Sequence, residues 1–376
     1  MRISIVASDL SDNATGRADL LARLLAPRYQ VSVVGPQFGE GRWMPSRDGA
    51  VAYHAVKASR GPGFARRVPE LLELIDGDLL VASKPRPTSF GLALLARRSR
   101  RRPLVLDIDD WEVGFFGRSG YWGRVGRALN LANPNGFTWT WLVEKLVGRA
   151  DAITVASRFL ERRFGGSFLP HARDTEAWDP SRYDRAAARS RQGLGSGKVV
   201  MFLGTPRGHK GVDDLIDAVG VLGPGVVLAL VGVDPARGGA PRWSRFPHVK
   251  VTPEIPFDDV PRYLVAADVV AVPQRETTDT VGQVPAKLFD AMALARPIVS
   301  TAVSMIPEIL DGCGLVVEPG NVPALAGAIK RLLDNPDEAA ALGRRARERC
   351  EAHYSFRVAR ATLFPLIERL TAGKAG

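Results

Sequence analysis

The stretch VPAKLFDAMALARPIVST, residues 284–301, places Lys287 and Asp290 three residues apart, which puts both on one face of a helix. Leu288, Phe289, Met292 and Ala295 recur at helical spacing and supply its buried stripe, so Lys287 and Asp290 read as a solvated face unless a ligand meets them. Pro285 suits the first helical position, where a missing N–H costs nothing. The free N–H groups that follow it, with the helix dipole behind them, suit an anion. Asp290 lies past that first turn, placed to accept hydrogen bonds from sugar hydroxyls. A second stretch, FLGTPRGHKGVDDLIDAV (202–219), reads as strand, loop and helix. Gly204 lets the backbone turn tightly as it leaves the strand, and Arg207 and Lys210 lie at the strand's carboxyl end, where they can meet a phosphate. The alternative is a plain loop with surface charges, His209 among its exposed residues. Together the two stretches suit a nucleoside diphosphate, with phosphates at the helix start and Lys210 and the ribose at Asp290.

These residues require a scaffold of strands ending beside helix starts, and the apolar runs provide one. In the first half the runs 2–8, 30–35, 78–83, 103–109 and 151–157 read as strands; in the second half, 198–204, 226–232, 248–253, 268–274, 297–301 and 314–319 do. Helices are expected near 15–26, 211–222, 258–267, 285–295, 322–334, 336–350 and 356–372. Continuous Val/Ile/Leu runs joined by helices indicate a parallel sheet covered on both faces. The fold class is therefore α/β, with two doubly wound domains. The Arg-rich stretch 179–197 reads as a linker or a loose helical excursion. Ligands of such folds sit at the carboxyl ends of the strands, and with two domains the ligand belongs in the cleft between them.

Composition narrows the class. A chain of 376 residues with 45% hydrophobic and 24% charged residues is ordinary globular material for two domains. Two cysteines, Cys313 and Cys350, make neither a disulfide framework nor a four-cysteine metal site, and a reducing, cytoplasmic setting fits. The N-terminus does not read as a signal peptide, and no run reaches membrane-spanning length. The formal charge of +11 points to nucleic acid, an anionic membrane surface or a phosphorylated substrate. No nucleic-acid-binding motif is present, so nucleic acid is set aside. Neither a dinucleotide-binding glycine turn nor a P-loop occurs. The basic run ARRSRRRP (96–103) reads as a solvated helix end or a membrane contact. Residues 111–145 interleave tryptophans with Arg and Lys, as a membrane interface or an acceptor-binding wall would. Asp-Ile-Asp at 107–109 has the form of a metal-binding carboxylate pair, but it is short, and no metal site is expected.

The motifs GTPRGHKGVDDLIDA, VPAKLFDAMALARPIVS and GLVVEPGNVPALAGAI, with FLPHARDTEAWDP (168–180) and HYSFRVARATLF (353–364), resemble the retaining GT-B glycosyltransferases of family four. The resemblance covers nearly the whole chain and implies two Rossmann-like domains facing across a cleft: 1–172 on the acceptor side, 173–355 binding a nucleotide sugar, and a helix over 356–376 crossing back to the first. It implies that Lys210 holds the donor pyrophosphate and that Arg207 takes the place of an arginine usual at Thr205. It puts Asp290 on the ribose, and Gly16 and Arg17 at a loop near the donor phosphates. Donor contacts follow for Gly204, Thr205, Glu254, Ile255, Gly282, Gln283, Val284, Pro285, Ala286 and Lys287. Gly282 is a departure, since relatives place there an acid that contacts the donor sugar; Glu276, Asp279, Gln283 or backbone N–H groups are the candidate substitutes. Asp109, where many relatives carry histidine, is a candidate acceptor-orienting group or base, with Asp110, Trp111 and His171 on the acceptor side or in the cleft.

The implied activity is transfer, with retention, of a sugar from a nucleotide-diphosphate sugar to an acceptor hydroxyl, without metal or other cofactor. The setting implied is bacterial cell-surface glycan, glycolipid or secondary-metabolite synthesis. The partners expected are the donor, a carbohydrate or lipid-linked acceptor and an anionic membrane surface, which would place the protein peripherally on the inner face of the cell membrane. A sugar-nucleotide epimerase or phosphorylase, and a non-catalytic partner protein, are the alternatives on the same fold.

Overall fold

Each long Val/Ile/Leu run becomes a strand, and every strand pairing is parallel. The computed structural model describes residues 1–46, 51–99, 101–116, 126, 129–233, 240–278 and 280–372. The described residues divide into two compact units, residues 1–170 with 359–372, and residues 171–358.

In the first unit seven strands lie in the order β3-β2-β1-β4-β5-β6-β7. They are β1 (Arg2–Val6), β2 (Gln30–Gln37), β3 (Ala52–Lys57), β4 (Leu79–Ser83), β5 (Leu104–Ile108), β6 (Ala152–Val155) and β7 (Ser167–Phe168). β4 and β5 are buried along their whole length, the result expected of central parallel strands covered on both faces. Their core includes Val6, Leu80, Phe90, Leu106 and Ile108. The chain order reverses between β1 and β4, which makes their carboxyl ends the switch point where such sheets bind ligands. The C-terminal helix Phe356–Ala372 joins this unit from Ala359 on. Arg360 donates to the carbonyls of Leu24 and Arg23, and Phe364 packs edge-on to Tyr29.

The second unit repeats the plan with six strands in the order β10-β9-β8-β11-β12-β13. These are β8 (Lys198–Leu203), β9 (Val226–Val231), β10 (Val249–Thr252), β11 (Val269–Val272), β12 (Ile298–Thr301) and β13 (Leu315–Val317). Its switch point lies between β8 and β11. The helices Val212–Gly220 and Val322–Asp334 cover one face through Leu215, Ile216, Val219, Leu325 and Ile329.

Two stretches depart from expectation. Of the two readings of residues 179–197, the helical one is met, though the helix is not loose: Asp184 caps a helix over Arg185–Gln192 by accepting from the N–H groups of Ala186 and Ala187, a strong start signal. That helix is anchored because Arg185 and Arg189 both reach Asp268. The basic run 96–103 is not uniformly solvated, since Arg102 is buried and donates to the carbonyls of Ile75, Gly77 and Ala96. Of the aromatic-basic stretch 111–145, residues 117–125, 127 and 128 lie outside the described residues, as does Asp279.

Candidate active site

In the second unit the chemistry gathers at the carboxyl ends of β8 and β11. Gly204 leaves β8 with φ 112°, a conformation open to glycine and costly to other residues. Its N–H donates to Val231 O at 2.7 Å. The following turn, Gly208–Lys210, ends at Gly211 with φ 59°. A side chain at Gly211 would fall 1.8 Å from Pro273 O, so the β8 loop packs directly on the β11 loop. Arg275 fastens the two: its N–H donates to His209 O at 2.8 Å, and its guanidinium pairs with Asp214. His209, expected to be exposed, is buried at this junction. Lys210 is half-buried and Arg207 exposed. Thr205 Oγ1 lies 3.5 Å from Glu254 Oε1, its hydroxyl donating, and Ile255 is half-buried beside it.

The helix after β11 spans Ala286–Ala293, with Pro285 as its N-terminal cap (φ −66°, ψ 120°) rather than its first helical residue. Among the described residues no side chain caps it; the Leu288 N–H donates to Pro285 O at 3.0 Å, and an uncapped helix start of this kind suits an anion. Lys287 and Asp290 are not a solvated face: they are 7% and 5% exposed. Helical spacing places the two residues together, and spacing alone does not tell which side the rest of the unit covers.

Asp290 has a partner the sequence did not announce. Arg173 Nε donates to its Oδ1, while the same guanidinium donates to Ala172 O at 2.7 Å and to Ala286 O at 3.2 Å. Arg173 therefore ties the carboxylate to the start of its own helix. Burial pushes the Asp290 carboxyl above its ordinary value, with Arg173 opposing. A role on the ribose is left to the oxygen that Arg173 does not take. Lys287 Nζ lies 3.8 Å from the centre of the Phe202 ring and, among the described residues, has no hydrogen-bond partner. Burial, reinforced by Lys210, holds its amine well below the ordinary lysine range, with Asp290 opposing. Gly282 and Val284 are buried, and Gln283 is half-buried. His171 packs its ring 6.1 Å from that of Phe289 in this unit.

The first unit builds a different cluster at the carboxyl ends of β4 and β5. Lys84 follows β4 with φ 75°, an unusual conformation for a residue with a side chain. It donates to Asp109 Oδ1 at 2.6 Å and Asp110 Oδ2 at 2.8 Å, and lies 3.1 Å from Glu112 Oε1. Arg86 donates to Glu112 Oε2 at 2.6 Å. Burial works against the charge on Lys84, but Asp109, Asp110 and Glu112 together outweigh it and hold the amine well above its ordinary range. Burial raises the Asp109 carboxyl to about 6, helped by Asp110 and opposed by Lys84. Lys84, Arg86, Glu112 and Arg173 were missed from the sequence. The available signal for Lys84 was a cation directly after a strand, in VASKPRP.

One expectation is corrected here. Arg17 does not reach toward donor phosphates. It is buried and forms a two-pronged pair with Asp107, both contacts at 2.8 Å, and donates to the carbonyls of Leu169 and Pro170. Its charge is consumed by the fold, and beside it Gly16 faces the Trp43 ring. The Asp-x-Asp pair is likewise divided between cations, Asp107 to Arg17 and Asp109 to Lys84. Asp109, Asp110 and Glu112 offer oxygens within 4.8 Å of one another, a spacing open to a metal ion, but the Lys84 ammonium reaches all three. Trp111, expected on the acceptor side, packs against the core beside Phe159 with Arg163 over its ring.

An exposed apolar surface completes this unit. Trp139 and Trp141 on the helix Phe137–Glu144 are 40% and 43% exposed, and Leu129, Leu131, Leu142 and Leu146 are exposed as well. Lys145 lies over the Trp141 ring. Among the described residues no helix is long and apolar enough to cross a membrane.

Comparison with known proteins bears on both units. The family of glycosyl transferases group 1 matches residues 197–335, and the glycosyl transferase 4-like domain matches residues 14–175. The GDP-mannose-dependent alpha-(1-6)-phosphatidylinositol monomannoside mannosyltransferase of Mycolicibacterium smegmatis is 30% identical over 304 residues, 75% of this chain and 74% of that protein. The alpha-D-kanosaminyltransferase of Streptomyces kanamyceticus is 29% identical over 173 residues, 44% of this chain and 42% of that protein. Among solved structures, sucrose-phosphate synthase from Thermosynechococcus elongatus superimposes with a TM-score of 0.75 at 20% identity, covering 100% of both chains. Anabaena HepE, solved with UDP and glucose, gives 0.73 at 18% identity, covering 98% of this chain and 99% of that one. At those identities the structural likeness is one of fold, the two-domain GT-B arrangement of parallel sheets.

Proposed function

This chain belongs to the group 1 glycosyl transferases, and from that premise we propose that it moves a mannosyl or closely related hexosyl residue from a GDP-sugar to a hydroxyl of a lipid-linked sugar, with retention at the anomeric carbon. The observation that carries the reading is the meeting of Gly204, Lys210 and Lys287 beside the uncapped start of the Ala286–Ala293 helix. That arrangement suits a diphosphate leaving group. The relatives named for GDP-mannose and phosphatidylinositol mannosides supply the donor and acceptor class.

In the proposed reaction the bond between the sugar's anomeric carbon and the diphosphate oxygen breaks, and its electron pair stays on the diphosphate. The acceptor oxygen bonds to the carbon on the same face, and its proton passes to the leaving phosphate. Lys210, Arg207 and the helix N–H groups neutralise the departing charge, the kind of preorganised stabilisation that dominates many enzymes. No metal is required on this reading. Asp109, its carboxyl raised to about 6, is assigned to orient the acceptor hydroxyl.

The exposed Trp139, Trp141, Leu142 and Leu146, with Lys145 and Arg149 beside them, support docking on an anionic membrane where a lipid-linked acceptor resides. The alternative, a partner protein without catalysis, rests on Gly282 in place of an acid. Incubation with GDP-mannose in excess chelator separates the two. Slow release of free mannose supports the transferase and its independence of metal; binding without turnover, with or without added magnesium or manganese, supports the partner protein.

A further inference from the structure

Lys287 is an oddity in the second unit. Among the described residues its amine is buried without a hydrogen-bond partner, and such groups are costly unless something compensates them. Phe202 lies beneath it, and an added Cβ on Gly204 would stand 3.1 Å from Nζ. The glycine thus lets the amine lie directly against the loop that carries Arg207 and Lys210. Two charged groups act on it: Lys210 from the β8 loop, which repels a second positive charge, and Asp290 on its own helix. Asp290 is the weaker influence because Arg173 already engages its carboxylate.

We propose that Lys287 is an anion ligand that becomes charged only when the donor arrives, so that binding of the nucleotide diphosphate is accompanied by uptake of about one proton from solvent onto Nζ. The proposal rests on the donor reading given above and adds a proton to it. In the empty protein, burial and Lys210 work against a charge on the amine and hold it well below the ordinary lysine range. A diphosphate at the helix start places negative charge beside both lysines, and an opposite charge within a few ångströms favours the charged form. The solvent-derived proton bonds to the nitrogen lone pair, and the ammonium then donates to a phosphate oxygen. A lysine that stayed neutral would serve only as apolar filling under Gly204, which methionine would replace without loss.

Calorimetry of GDP binding to the full chain, in buffers of different ionisation enthalpy near pH 8.5, measures the proton directly. The ligand contributes none there, because its terminal phosphate is ionised roughly two units lower. The expected result is uptake approaching one proton in the wild type, lost in Lys287→Met together with about ten-fold or more in affinity, as for a charge-assisted hydrogen bond. Binding by the wild type without uptake overturns the proposal and leaves the donor reading intact. Uptake that persists in Lys287→Met also overturns it, by assigning the proton elsewhere. Failure of GDP, UDP and their sugars to bind at all overturns both. Should the variant not fold, the wild-type buffer series and the weakening of its GDP affinity between pH 7 and 9 decide alone.

Discussion

Replacing Arg173 with methionine removes the guanidinium paired with Asp290 and leaves a carboxylate buried at 5% exposure. Breaking a buried pair from one side costs about 3–5 kcal/mol, and for a unit of this size that corresponds to a fall of roughly 6–20 °C in melting temperature. The loss depends on pH, with a definite sign. Burial already raises the Asp290 carboxyl, and Arg173 is the largest opposing influence, so the variant's folded value rises further above the unfolded one. A group raised in this way contributes its stability below the unfolded value and loses it as pH rises through the folded value. Arg173→Met should therefore be damaged more at pH 8 than at pH 5. Arg173→Met/Asp290→Asn should recover much of the difference, since neither charge remains. Urea and thermal unfolding of the wild type, both single variants and the double variant at the two pH values complete the cycle. Additive losses with no pH dependence would refute the reasoning, and with it the claim that Arg173 fixes the carboxylate at the helix start.

Three further outcomes are expected. Lys84→Met should move the acidic limb of the transfer rate upward, because Lys84 lowers the Asp109 carboxyl; an unmoved limb would remove Asp109 from the reaction. Lys210→Ala should raise the barrier by about 2–4 kcal/mol, the worth of a leaving-group charge, with little change in melting temperature, and unchanged kinetics in a folded variant would reassign the diphosphate. Trp139→Ser/Trp141→Ser should lower co-sedimentation with anionic vesicles at low salt, where surface charge acts over the longest range; equal sedimentation would place the membrane contact elsewhere.

The sequence disclosed the scaffold well because buried parallel strands write themselves as unbroken apolar runs, and every such run formed a strand. It disclosed the loop after β8 because Gly204 and Lys210 sit in a recognisable strand-turn-helix pattern. It did not disclose the burial of Lys287, Asp290 and Arg17 for one shared reason: helical spacing fixes which residues lie together, while burial depends on segments far away in the chain. Arg173 comes from 117 positions upstream of Asp290, and Asp107 from 90 positions beyond Arg17. The same distance hid Lys84, whose carboxylates lie on the neighbouring strand's exit. The helix over Arg185–Gln192 was legible from Asp184 as a cap but was obscured by its dense arginines, which read as solvated until Asp268 gathered two of them.

The central claim is sugar transfer from a nucleotide donor, and one measurement addresses it directly. The protein is incubated with GDP-mannose and a phosphatidylinositol monomannoside, and the lipids are resolved by mass spectrometry and proton NMR. The account predicts a lipid heavier by one hexose, linked in the α configuration of the donor. A lipid pool unchanged across GDP- and UDP-sugars, despite measurable nucleotide binding, would contradict it.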